Sequence, residues 1–380
     1  MNRILLIGNG FDLAHNLYTG YDHFVNDFWE QKVKKIYDEY KEQSKPSKNN
    51  TYNIYFSFNN DNDIEIEPVY YQNKYNEVFS SEKKGYAKFK DLLLLINQEL
   101  VPENTIKNNF LKQITLNLDI HNWVDIECEY FSALKECFEN EKKDEIKKLN
   151  KEFDSIKEAL TFYLNNLIKQ GIEPIQSINN LIDNIIFENT STKIMYPSNN
   201  FQTIFLCFNY TNTIEYYINN LKEANQYVKS IYIHGELNKA SNPIIFGYDD
   251  NSDEEFNRIR KNPNKEYSEN VKTINYLKTG LYNELMKFIE NNEYHVYILG
   301  HSLGVSDSTI ISNIFKSNNC ESIKIYYYID KNNISDHKEK RINVLRVLNN
   351  DIQKINKIVP EDKCEQLSEI KYLLPNPNNG

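Results

Sequence analysis

A mostly parallel α/β sheet flanked by helices, with a large helical insertion after its first strand, is the fold class that this 380-residue sequence predicts. Three observations lead there. Short apolar runs recur, and most are unbroken, as strands buried on both faces of a parallel sheet must be. Helical periodicity lies between them. One long stretch in the middle is helical almost throughout.

The predicted strands are residues 3–7, 203–208, 230–234, 243–246, 295–299 and 323–329, each running into a Gly, Asn or Asp. Between and after them, Leu277, Leu281, Leu285 and Phe288 repeat at helical spacing, as do Ile342, Leu345, Leu348, Ile352 and Ile355. From about residue 25 to 198 the pattern changes to long helices, with Phe153, Ile156, Leu160, Leu164 and Leu167 on one face. A hairpin of 52–58 and 64–70 interrupts this region, and the mixed-charge run 139–148 reads as a solvated helix face. The expected domains are residues 1–24 and 199–358 as the α/β core, 25–198 as the insertion and 359–380 as a C-terminal tail.

Composition excludes several function classes. A hydrophobic content of 40% with 13% aromatics builds a packed core. The net charge is −10, and the only arginines are Arg3, Arg258, Arg260, Arg341 and Arg346. Neither feature suits sequence-specific binding of nucleic acid. Five cysteines with no C-x-x-C pair argue against a disulfide framework or a zinc centre, and no metal site is expected. No apolar run approaches the ~20 residues that span a bilayer. The run 4–7 stops too soon for a signal peptide, so a cytoplasmic protein without membrane partners is expected. The chain has 11 glycines, where average usage would give roughly 27. Each glycine is correspondingly informative.

Four segments carry candidate chemistry, each directly after a predicted strand, where open α/β sheets bind ligands. The first is Gly8-Asn9-Gly10-Phe11-Asp12, continuing to His15 and Thr19. A strand followed by G-x-G suits an anion-facing turn, or simply a tight turn with Asp12 as helix cap. In the second, Asn209-Tyr210-Thr211-Asn212, Asn209 ends a strand, and Thr211 or Asn212 can cap the next helix. His234-Gly235 is the third, a strand-end histidine placed to act as a general base or simply as structure. The fourth, Gly300-His301-Ser302-Leu303-Gly304 with Ser306-Asp307, matches the G-x-S-x-G nucleophile elbow. A serine hydrolase built on Ser302 would need Asp330 and His337 as partners. The alternative is a phosphate- or ribose-binding turn, with Ser306 or Asp307 capping a helix over 309–315.

Taken in order, these segments resemble the bacteriophage abortive-infection family AbiH. The resemblance extends through Trp123-Val124-Asp125-Ile126-Glu127 and Phe246-Gly247-Tyr248-Asp249 and is colinear from residue 4 to about residue 308. It implies cytoplasmic antiphage defence that harms the infected cell. More distantly, the pattern is similar to sirtuin-like, Rossmann-like domains that consume NAD.

That similarity implies an NAD(P)+ glycohydrolase, with NAD as substrate rather than cofactor. His234 would then be the base or ribose-hydroxyl partner, and Asn209 would orient water or substrate. The amides of Gly8, Asn9 and Gly10, with Asp12, Gly300, Ser302 and Asp307, would face the nucleotide's phosphates and ribose. A phage-encoded trigger and a homo-oligomer are implied in the same way. The other readings are the serine hydrolase and a non-catalytic module that senses a nucleotide or a phage protein. Glu127 is a further candidate site carboxylate.

Overall fold

The computed structural model describes residues 2–43, 55–59, 61–70, 83–96, 99–121, 125–140, 143–187, 201–224, 227–330, 332–349 and 351–368. The chain divides into two compact units. The first comprises Met1–Thr19 with Leu164–Leu374, the second Gly20–Tyr163 with Pro375–Gly380.

The strands, in chain order, are β1 (Asn2–Ile7), β2 (Tyr55–Phe58), β3 (Ile66–Tyr70), β4 (Thr203–Cys207), β5 (Val228–Tyr232), β6 (Tyr294–Leu299) and β7 (Cys320–Tyr326). In the first unit, five parallel strands form one sheet in the order β5-β4-β1-β6-β7 among the described residues. The register runs from Arg3 opposite Thr203 on one side of β1 to Ile7 opposite Leu299 on the other. Strand order therefore reverses at β1, the place where such sheets open a crevice at their carboxyl edge.

Alternate residues of each strand enter opposite cores, which is why the runs read as continuous. Ile4, Leu6, Ile204, Leu206, Val296 and Ile298 face one core. The helices Leu281–Asn291, Ser308–Lys316 and His337–Val347 add Leu285, Phe288, Ile310, Ile314, Val344 and Val347 to it. Leu5, Ile7, Phe205, Cys207 and Leu299 face the other core. There they pack with Phe11, with Ile178 and Ile182 of the helix Gln176–Phe187, and with Tyr217 and Ile218 of the helix Glu215–Ala224. Cys364 and Leu367 also join these cores, so packing continues past residue 358.

In the second unit, β2 and β3 pair antiparallel with Phe56 opposite Val69 and Phe58 opposite Ile66. This is the expected hairpin; residues 52–54 of it lie outside the described residues. Trp29 stacks on Phe89 at 4.4 Å and donates its indole N–H to Thr115. Tyr130 stacks on Phe153 at 4.1 Å. Asp144, Glu145, Lys147 and Lys148 of the mixed-charge run are exposed on the helix Lys143–Ile168. Phe153, Ile156, Leu160 and Leu164 are buried on its other side.

Three expectations are corrected. Residues 243–246 form no strand: this segment folds back as an irregular return, with Ile245 N–H donated to the His234 carbonyl and Glu236 N–H to the Asn242 carbonyl. Leu277 is 63% exposed, because the helix starts only at Leu281. Ile342 is 54% exposed, and Val344, Val347 and Leu348 turn inward in its stead. The left-handed Asn349 (φ 55°) then ends that helix before Ile352.

The β1 and β6 turns press against each other. Gly300 sits at φ +78°, and a Cβ there would lie 2.2 Å from the Phe11 nitrogen. Gly304, in the same loop, has only ordinary contacts, the nearest at 3.6 Å. Gly300→Ala is therefore expected to lower unfolding free energy by roughly 3 kcal/mol or more. Gly304→Ala should stay within about 0.5 kcal/mol of the parent. Urea titration of both variants checks the contrast.

Candidate functional site

The four sequence segments meet at the carboxyl edge of the sheet, all within the first unit. Phe208 continues β4 by donating its N–H to the Ile7 carbonyl, and Ile233 continues β5 by donating to the Cys207 carbonyl. Asn209 and His234 therefore come next on adjacent strands. Asn209 is buried and donates its side-chain amide to the Gly8 carbonyl at 3.0 Å, tying the β4 turn to the β1 turn.

The backbone amides of the β1 turn are already engaged. Gly8 N–H is donated to the Leu299 carbonyl at 3.3 Å and Gly10 N–H to the Gly300 carbonyl at 2.8 Å. A Cβ on Gly8 would stand 2.5 Å from the His301 Cα. These glycines thus let two turns approach each other, and the phosphate-facing role expected of the Gly8 and Gly10 amides does not carry over. Asn9 is exposed on the turn and accepts from the Thr19 hydroxyl.

Asp12 lies inside the helix Asn9–Ala14, so it is not the cap that its position after G-x-G suggested. Only 1% exposed, it accepts from the Thr211 hydroxyl at 2.6 Å, while its Oδ1 has no hydrogen-bond partner. Burial raises its carboxyl to about 6, against the opposing pull of Thr211, Thr213, Asn209 and Thr19. Thr211 therefore binds Asp12 rather than capping the next helix. His15 is structural: its ring bridges the Phe11 carbonyl and the Tyr217 hydroxyl, which itself accepts from Ile175 N–H.

His234 is the centre of a buried polar cluster. Its Nε2 lies 3.0 Å from Asp307 Oδ1 and 3.2 Å from the Tyr276 hydroxyl. Lys272, at 0% exposure, places Nζ 2.7 Å from the same carboxylate oxygen. His301 Nε2 stands 3.6 Å from Asp307 Oδ2. Phe208 packs edge-on against both imidazoles, at 5.1 Å from His234 and 4.1 Å from His301.

Burial alone would raise the Asp307 carboxyl, but Lys272, His234 and His301 outweigh it and hold the group well below its ordinary range. Burial pushes His234 down, helped by Lys272 and His301 and opposed by Asp307. Asp307 makes no side-chain cap to the helix Ser308–Lys316, which corrects that expectation.

The loop after Gly247 positions both halves of the ion pair. Asp249 accepts from Thr309 at 2.5 Å and from Thr273 N–H at 2.7 Å, and those two residues flank Asp307 and Lys272. Asp250 accepts from Ser308 at 2.6 Å. Lys272 and Tyr276 were missed in the sequence, since a lysine and a tyrosine on a five-residue helix carry no motif.

Ser302 is exposed, and its hydroxyl has no histidine partner among the described residues. The left-handed residues in that turn are Gly300 (φ 78°) and Leu303 (φ 60°), not Ser302. Asp330 accepts from Asn332 and Ile334 N–H in its own loop, and the His337 ring packs on Tyr327. Asp125 caps the helix Ile126–Glu139 through Glu127 and Cys128 N–H, and Glu127 is buried in the second unit. Trp123 and Val124 lie outside the described residues. No His, Cys, Asp and Glu group among the described residues has the geometry to hold a metal ion, and no helix is long and apolar enough to cross a membrane.

The Asp12 carboxyl gives a pH test. Its native pKa lies above the unfolded value, so its charged form costs stability that is absent at low pH and fully felt above pH 6. A two-unit rise corresponds to about 3 kcal/mol. Asp12→Asn is expected to raise the melting temperature at pH 7.5 and to leave it unchanged at pH 4. A lower melting temperature at pH 7.5 would contradict the reading.

A search of curated proteins finds no match. The family described as bacteriophage abortive infection AbiH matches residues 4–329, a span that includes every segment of the site. The turn after β1, the histidines that follow β5 and β6, and the loop that sets Lys272 against Asp307 are thus features of a chain that belongs to the AbiH family.

Proposed function

We propose that the chain serves abortive infection as an effector that hydrolyses NAD or a related nucleotide at the N-glycosidic bond. In this reading the α/β unit is a Rossmann-like, sirtuin-like domain, and the helical residues between β1 and β4 are an insertion in it. The single observation that carries the reading is His234. It is buried at the sheet's carboxyl edge, just after β5, and held on a charged carboxylate.

Breaking an N-glycosidic bond develops an oxocarbenium-like cation and needs an activated water. His234 supplies the base at the nicotinamide ribose. Asn209 keeps its side-chain carbonyl for water or a ribose hydroxyl, since its NH2 group is given to Gly8. Asp12 Oδ1, covered and without a hydrogen-bond partner, takes a second ribose hydroxyl once the bound nucleotide parts the turns over it. Asn9 and Ser302, exposed on the two turns, and the Gly300 turn itself contact the rest of the nucleotide. A cytoplasmic site of action, a phage-encoded trigger and a homo-oligomer belong to the same proposal.

Incubating the purified protein with NAD, NADP and ATP tests it. Nicotinamide release is expected, and His234→Ala or Asn209→Ala should cut kcat by roughly 100-fold or more with little loss of binding. Ser302→Ala should raise KM at nearly unchanged kcat, since Ser302 contacts the nucleotide away from the bond that breaks. Nucleotides left intact with and without phage components would contradict the proposal. Binding without turnover would identify a sensing module, and ester cleavage lost in Ser302→Ala would identify a serine hydrolase.

A further inference from the structure

The groups around His234 decide which of its two ring nitrogens can take a proton. A carboxylate oxygen carries only lone pairs, so a bare ring nitrogen 3.0 Å from Asp307 Oδ1 would be repelled. The contact needs the hydrogen on Nε2. The Tyr276 hydroxyl, 3.2 Å away, can accept from the same N–H or turn its own hydrogen aside. Nδ1 is then the nitrogen with the lone pair, and it has no hydrogen-bond partner among the described residues.

His301 shows the same orientation. Leu303 N–H is donated to its Nδ1 at 2.8 Å, which places its proton on Nε2, on the side of Asp307 Oδ2. The Lys272 ammonium completes the set at 2.7 Å. Two imidazole N–H groups and a buried ammonium thus converge on one carboxylate.

We infer that Asp307 and Lys272 are positioning residues that hold His234 as the Nε2–H tautomer and leave Nδ1 to accept a proton from a ligand hydroxyl or a water. The inference rests on the reading of His234 as the base of the site. In the step, an O–H bond breaks, its electron pair stays on oxygen, and an N–H bond forms at Nδ1. Asp307 stabilises the resulting imidazolium without taking the proton, as in other carboxylate–histidine pairs. Lys272 and the two imidazole N–H groups together keep Asp307 ionised, since a carboxylate buried without a partner would take up a proton itself.

The charged and titratable groups facing His234 are Asp307, Lys272, His301, Tyr276 and Tyr210, the last with its ring 6.3 Å from the imidazole. Asp307 favours the imidazolium, whereas Lys272 and His301 oppose it. Lys272→Met should therefore raise the pH at which His234 protonates, by about one unit, and Asp307→Asn should lower it by a similar amount. Each single change leaves a buried charge alone, so the uncharged double variant Lys272→Met/Asp307→Leu is made beside them.

Nitrogen NMR of the histidine-labelled full chain reads the tautomer without substrate, and the pH profile of nicotinamide release reads the base. Expected are Nε2–H at His234 in the parent, shifts of the acid limb in opposite directions in the two single variants, and a mixed tautomer in the double variant. Its kcat should fall roughly 100-fold at nearly unchanged KM. A parent His234 protonated at Nδ1, or a double variant that keeps pure Nε2–H, overturns the inference. The expected tautomers in a protein that leaves every nucleotide intact would uphold the positioning and refute the hydrolytic reading instead.

Discussion

The buried pair of Asp307 and Lys272 is the constraint on which the rest of the site depends. Taking a carboxylate and an ammonium out of water costs several kcal/mol per ion, and removing one partner leaves the other uncompensated. The fold therefore has to deliver both groups to one place. Asp249 does this by binding Thr273 and Thr309, next to Lys272 and two residues beyond Asp307. The pair in turn gives His234 and His301 a fixed negative partner, and Phe208 fills the space between the two rings. Three separate stretches of sequence, those of His234, Lys272 and 301–307, meet at one carboxylate.

A second constraint, steric rather than electrostatic, holds the neighbouring turns. Gly8 and Gly10 lie so close to Gly300 and His301 that side chains there would collide with backbone. The amides that a bare G-x-G pattern would offer to a phosphate are given to Leu299 and Gly300. Contact between these turns aligns Asn209, through its bond to the Gly8 carbonyl, with Asp12 and Thr211. The glycines remain at the site, but as the means by which β1 and β6 end side by side.

Much of this was legible before any coordinates. Unbroken apolar runs identify five sheet strands because strands covered on both faces have no polar side to show. The Asn, His and Gly residues that end them fall at the carboxyl edge as a consequence of topology. The apolar pattern also suggested a strand at 243–246, where Pro243 lacks an N–H and the chain instead returns across the His234 turn. Lys272 was invisible, since a lysine in sequence reads as surface and only the fold reveals a buried carboxylate beside it. Asp12 and Asp307 read as helix caps because residues of that type before a helix usually are. Their actual partners, Thr211 and Lys272, are 199 and 35 residues away in the chain.

The central claim is that these turns form one nucleotide site centred on His234. The most direct test is a crystal structure of His234→Ala grown with NAD, in which a slow variant retains its substrate. The account predicts the nicotinamide ribose at the carboxyl edge of β4 and β5, beside Asn209 and Asp12 and over the vacated imidazole position. NAD bound elsewhere on the protein, or not bound at saturating concentration, would contradict it.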